Sequence, residues 1–172
     1  MFVIKYISLM FLLSLLTSCK GSHIGIFNTH YEEPVNDSVA SLEVENMMSY
    51  SKPKVYIYEN SIDCSGKRYL WDDVGVRAGF NKLIKVKSAT ETTVGMWYGL
   101  GRTDNSTKYC DGKITFTADP EADYLLQLSG YENGCIYELF KVTDNGQKEK
   151  VEYTKRESFK AFSNESASCK SL

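Results

Sequence analysis

KITFTADPEADYLLQLSGYENGCIYELFKVT, from Lys113 to Thr143, is the stretch that decides the fold class. Three runs within it, Lys113 to Ala118, Tyr124 to Ser129 and Cys135 to Thr143, are rich in apolar and β-branched residues over the length of a strand. Asp119-Pro120-Glu121 separates the first two, and Asn133-Gly134 precedes the third. Both pairings are good turn chemistry, because Pro presets its φ and Asn-Gly tolerates a positive one. Three strands joined by short turns predict an antiparallel meander.

The same pattern continues outward in both directions. Downstream, Asp144-Asn145-Gly146 turns into Val151-Glu152-Tyr153, a further predicted strand. Upstream lie Thr92 to Tyr98, Leu83 to Lys87, Lys54 to Glu59 and Ala40 to Glu45. Side chains alternate across a strand, so Leu42 and Val44 point inward together. In the Lys54 run, Val55 and Ile57 share one face and Tyr56 and Tyr58 the other, and both faces can bury. Leu42, Glu45 and Met48 also fit a short helix, but helical periodicity is nowhere sustained for ten residues. About seven short strands predict an all-β chain folded as a small antiparallel β-sandwich over residues 39–172.

The amino terminus carries a different kind of information. Lys5 supplies a positive charge, Ile7 to Leu16 an apolar run short of the about 20 residues a spanning helix needs, and Thr17-Ser18 small residues before Cys19. Leu16-Thr17-Ser18-Cys19 resembles the lipobox of bacterial lipoproteins. That resemblance implies a signal peptide over residues 1–18, cleavage before Cys19, and acyl chains on Cys19 that hold the protein to a membrane. Lys20, where an Asp would retain such a protein at the inner membrane, implies the outer membrane. Residues 19–38 sustain no apolar period, have Pro34, Asn36 and Asp37 as breakers, and predict a flexible tether.

Removing residues 1–18 takes away one Lys and no acid, leaving 19 basic against 22 acidic side chains. This slight acidity excludes a nucleic-acid partner that relies on neutralised phosphates. About 130 residues then remain, the size of one ordinary domain. Besides Cys19, the chain has Cys64, Cys110, Cys135 and Cys169, and export to an oxidising compartment predicts two disulfides. Three pairings are open. The meander favours Cys110 with Cys135, at one end and about 9.6 Å apart across an intervening strand, which leaves Cys64 for Cys169. No C-x-x-C occurs and the two histidines, His23 and His30, lie in the tether, so neither zinc nor another cofactor is predicted.

Three stretches, namely Cys64, Val94-Gly95-Met96, and Cys110 to Phe116 followed by Asp123-Tyr124 and Gly134-Cys135, resemble a loose group of small exported bacterial proteins of unknown function. The resemblance spans about half of the domain and implies a compact disulfide-linked β-sandwich. It implies no catalytic residues.

Residues 38–172 contain no histidine, which removes Ser-His and Cys-His nucleophilic mechanisms. Asp72-Asp73 and Asp119, Glu121, Asp123 are the available carboxylate clusters. Adjacent strand residues face opposite ways, so the first pair does not converge. The second lacks the Gly and Glu of a calcium loop and is predicted to be a turn. Gly95, Gly99 and Gly101 lack the Lys-Ser/Thr of a phosphate loop and suggest a bulged strand. Between them Trp97 and Tyr98, with Arg102, are either core or an interface tip, since Trp, Tyr and Arg anchor protein interfaces. The sequence thus predicts a lipid-anchored, non-enzymatic binding module with a protein partner. Two narrower readings are an inhibitor or immunity-type lipoprotein blocking a periplasmic hydrolase or toxin, and a structural component of an envelope assembly.

Overall fold

The computed structural model describes residues 29–35, 37–48, 53–70, 79–103, 106–131 and 134–171, with the backbone alone at 100–103, 106–108 and 131. Cys19, the signal segment and Asp72-Asp73 lie outside the described residues. The described residues form ten strands: β1 (Val39–Asn46), β2 (Lys54–Asn60), β3 (Ser65–Tyr69), β4 (Asn81–Lys87), β5 (Glu91–Thr103), β6 (Ser106–Thr117), β7 (Asp123–Tyr131), β8 (Gly134–Val142), β9 (Lys148–Lys150) and β10 (Thr154–Lys155).

They assemble into two five-stranded sheets, β4-β1-β7-β8-β9 and β10-β6-β5-β2-β3. Every pairing is antiparallel except β1 with β7. The apolar inner faces pack on each other, as alternating patterns require. Leu42 and Val44 of β1, Leu126 and Leu128 of β7 and Leu139 of β8 meet Val94, Met96 and Ile114 from the other sheet, all without exposed surface. Burying one such side chain stabilises the fold by about 1.5–3 kcal/mol.

The meander is corrected. Lys113 to Thr117 is the end of β6 and lies in the second sheet, whereas β7 and β8 form a hairpin in the first. Asp119-Pro120-Glu121 carries the chain from one sheet to the other. Glu121 turns with a φ of 58° and donates its N–H to Val39 O at 2.9 Å. Alternation tells which side of a strand buries, not which strand lies beside it. Either sheet satisfies the pattern of β6.

Cys110 and Cys135 are bonded, Cα atoms 5.5 Å apart, and tie β6 of one sheet to β8 of the other. They therefore face each other across the sandwich, and no strand intervenes. Cys64 and Cys169 are bonded with the same Cα separation.

Val151-Glu152-Tyr153 is also corrected, since it is the crossing between β9 in the first sheet and β10 in the second. Val151 N–H bonds Leu139 O at 2.9 Å, and Tyr153 Oη donates to Tyr137 O at 2.7 Å. β3 carries no strand signature in the sequence, because Ser65, Gly66, Lys67 and Arg68 lack strand propensity. Two residues of the predicted tether, Thr29 and Tyr31, contact the sandwich. Tyr31 N–H bonds Tyr69 O at 2.9 Å, Tyr69 N–H bonds Thr29 O at 2.8 Å, and Tyr31 Oη donates to Lys85 O at 2.8 Å. Tyr31 packs against the core, and burial lifts its phenol to about 12. Thr29 and Tyr31 are thus bonded to the sandwich.

Candidate functional site

The outer face of the second sheet is built in rows set by strand register. Tyr69, Tyr56, Gly95 and Lys113 form one row, Lys67, Tyr58, Thr93 and Thr115 the next, and Lys54, Trp97 and Asp111 a third. Gly95 makes the arrangement possible. A β-carbon there would stand 2.9 Å from Tyr58 Cε2, so its absence lets the Tyr58 ring lie across the sheet towards Lys113.

A C-terminal strap crosses this face from one edge to the other. At the β6 edge Arg156 N–H bonds Lys113 O at 3.0 Å, and its buried guanidinium donates to Ile62 O at 2.6 Å and Thr115 Oγ1 at 3.1 Å. At the β3 edge Lys67 N–H bonds Asn164 O at 2.7 Å. The strap closes at Ser168, whose Oγ donates to Cys64 O at 2.8 Å, and at the Cys64–Cys169 bond. Tyr56, Tyr58, Tyr69, Cys64 and Cys169 form a second small core beneath it.

Between strap and sheet lies a half-open hollow of about 200 Å³. Tyr56, Tyr58, Lys67, Trp97, Asp111 and Lys113 line it from the sheet, and Phe159, Lys160, Ser163 and Asn164 from the strap. Lys113 is only 3% exposed, and its ammonium donates to Ser158 Oγ at 2.9 Å and to Asp111 Oδ1 at a long 3.4 Å. Lys67 Nζ stands 4.5 Å from the centre of the Tyr56 ring and 5.4 Å from that of Tyr69. Aromatic faces attract a cation but offer it no acceptor. Among the described residues no carboxylate pairs with Lys67. Burial depresses both lysines, with Asp111 opposing in each case. Burial likewise pushes the Tyr56 and Tyr58 phenols well above their ordinary range.

The predicted interface trio is divided by the structure. Trp97 stands at the hollow, 39% exposed. Tyr98 points the other way into the core, and its hydroxyl donates to Gly134 O at 3.3 Å. The reason is the strand period of two, which sends neighbours to opposite faces. The Arg102 side chain lies outside the described residues; its backbone pairs with Thr107. The register slips between Gly99 and Gly101, the bulge that the glycines suggested. Asp119 of the acidic turn pairs with Lys141 at 2.8 Å, which holds its carboxyl below the usual range.

Lys67, Lys113 and the strap were not singled out from the sequence. One signal pointed to them: Tyr56 and Tyr58 face away from Val55 and Ile57, so burial of all four requires a cover on the outer face. A larger hollow of about 1,000 Å³ beside residues 29–34 is lined by Glu32, Glu33, Glu59, Arg68, Lys87 and Glu91 among others, and its Arg68 is already held by Glu59 and Glu165. No protein-family model matches the chain, and no curated protein is significantly similar to it.

Proposed function

We propose that the chain is a lipid-anchored, non-enzymatic module of the bacterial cell envelope that binds a protein partner through the strapped face. The lipobox resemblance at Cys19 supports the anchor and an outer-membrane address. The carrying observation is the position of Trp97, held on a sheet rather than on a loop, with Phe159 of the strap 47% exposed at the same hollow. Half-exposed aromatics on rigid elements bring large contact area at low entropic cost. The absence of histidine from residues 38–172 supports binding over acyl-transfer chemistry.

A photo-crosslinker placed at Phe159 in intact cells tests this. The expected result is one dominant crosslinked protein, lost on Trp97→Ala while the level of the chain is unchanged. Turnover of peptidoglycan, ester or peptide substrates by the purified chain, abolished by one carboxylate substitution, overturns the non-enzymatic reading. Mass spectrometry of the native N-terminus tests the anchor, which fails if Cys19 bears no fatty acid.

A further inference from the structure

We infer that the hollow between strap and sheet receives a carboxylate carried on an apolar stem, an acidic side chain or chain end of the partner. This deepens the binding face proposed above and rests on it for the identity of the carrier.

Charge is the first observation. The chain as a whole is acidic, with 22 Asp and Glu against 20 Lys and Arg, yet three lysines and one aspartate line this hollow. Lys67 and Lys113 contribute from neighbouring rows of the floor and Lys160 from the strap. Lys67 has ring faces around its ammonium and no carboxylate partner among the described residues, so its three donors can take an incoming acceptor. Lys113 is fixed by Ser158, and its contact with Asp111 is too long to be a strong ion pair.

Size and lining narrow the class. A hollow of about 200 Å³ is below the roughly 300–1,000 Å³ of sites that enclose a drug-sized ligand, so it takes one group and not a whole metabolite. Tyr56, Tyr58, Trp97 and Phe159 surround the lysines with apolar surface, which suits a methylene stem behind the charge. That apolar lining also favours a carboxylate on a methylene stem over inorganic phosphate, which has no apolar part to bury.

The test uses the oxidised full-length chain in detergent, with its lysines isotopically labelled for NMR and hexanoate as the probe. Hexanoate is expected to shift the terminal signals of Lys67 and Lys113 saturably, with hexan-1-ol silent and inorganic phosphate weaker than hexanoate. Lys67→Gln should weaken hexanoate binding about tenfold or more, the size of one lost charge-assisted hydrogen bond. Its native fold is checked by an unchanged spectrum elsewhere. Equal shifts at all surface lysines, equal response to hexanol, stronger response to phosphate, or a Lys67→Gln variant that binds as before overturns the proposal. A pair of short peptides, one ending in a free carboxylate and one carrying an internal glutamate, separates chain end from side chain. Should the Phe159 crosslink form and hexanoate not compete, the hollow fails while the binding face stands. Should hexanoate saturate the hollow and no crosslink form, the hollow stands and the binding face fails.

Discussion

The hydroxyl of Tyr98 occupies the position that a β-carbon on Gly130 would need, so a strand of one sheet is locked against a strand of the other by a missing side chain. Tyr98 comes from β5 and Gly130 from β7. The tyrosine is 2% exposed and cannot swing outward without leaving the core.

Gly130→Ala is therefore expected to destabilise the fold by about 3 kcal/mol, the upper range for overpacking a core. Chemical denaturation measures it. Combining Gly130→Ala with Tyr98→Leu should recover part of that loss, because the two residues share one space and their effects are not additive. Additive losses would show that the contact is not the cause.

The two disulfides close loops of very different length, with separations of 105 and 25 residues. On the loop-entropy model, replacing both Cys64 and Cys169 by Ser costs about 4.7 kcal/mol, and replacing Cys110 and Cys135 about 3.5 kcal/mol. Thermal unfolding of each double variant checks the order. The first should also release the strap, seen as increased hydrogen exchange at Lys67 N–H, which bonds Asn164 O of the strap, with Leu126 unaffected.

Lys113 spends stability on a charge held away from water. Lys113→Met is expected to be neutral or stabilising by about 1 kcal/mol at neutral pH, since an apolar residue of similar length replaces a desolvated ammonium. Its pH dependence has a definite sign. A lysine depressed in the fold binds its proton more readily when unfolded, so stability climbs with pH from its lowered pKa up to the ordinary value of about 10.4. The climb should shrink in Lys113→Met and persist in part through Lys67, which is depressed in the same direction.

Buried tyrosines set the alkaline limit. Burial raises the phenols of Tyr31, to about 12, and of Tyr98, Tyr137 and Tyr153. These groups keep their protons in the fold while the unfolded chain loses them near pH ~10, so the stability they contribute is whole below that pH and lost above it. Phenolate absorbance and circular dichroism should change together in an alkaline titration. A full phenolate signal with native dichroism would contradict the burial.

Much of the local architecture was legible in the chain. Leu42 and Val44 alternate with polar neighbours and are wholly buried. Tyr56 and Tyr58 were placed opposite Val55 and Ile57, and all four are buried as both faces of β2 demanded. The site was less legible. Trp97 stands out by residue type, but Lys67 sits in a strand of low propensity, and Lys113 merely opens an apolar run.

What residue order alone determined is strand content and the inward face of most strands, because a period of two is a local property of neighbouring residues. The proposal that Cys19 is acylated rests on residue order alone. Only the tertiary structure decided that β6 and β7 lie in different sheets, that Cys110 meets Cys135 across the sandwich, and that residues 156–169 cover Lys67 and Lys113. These are contacts between segments far apart in the chain, where several pairings bury the same apolar faces and packing selects among them.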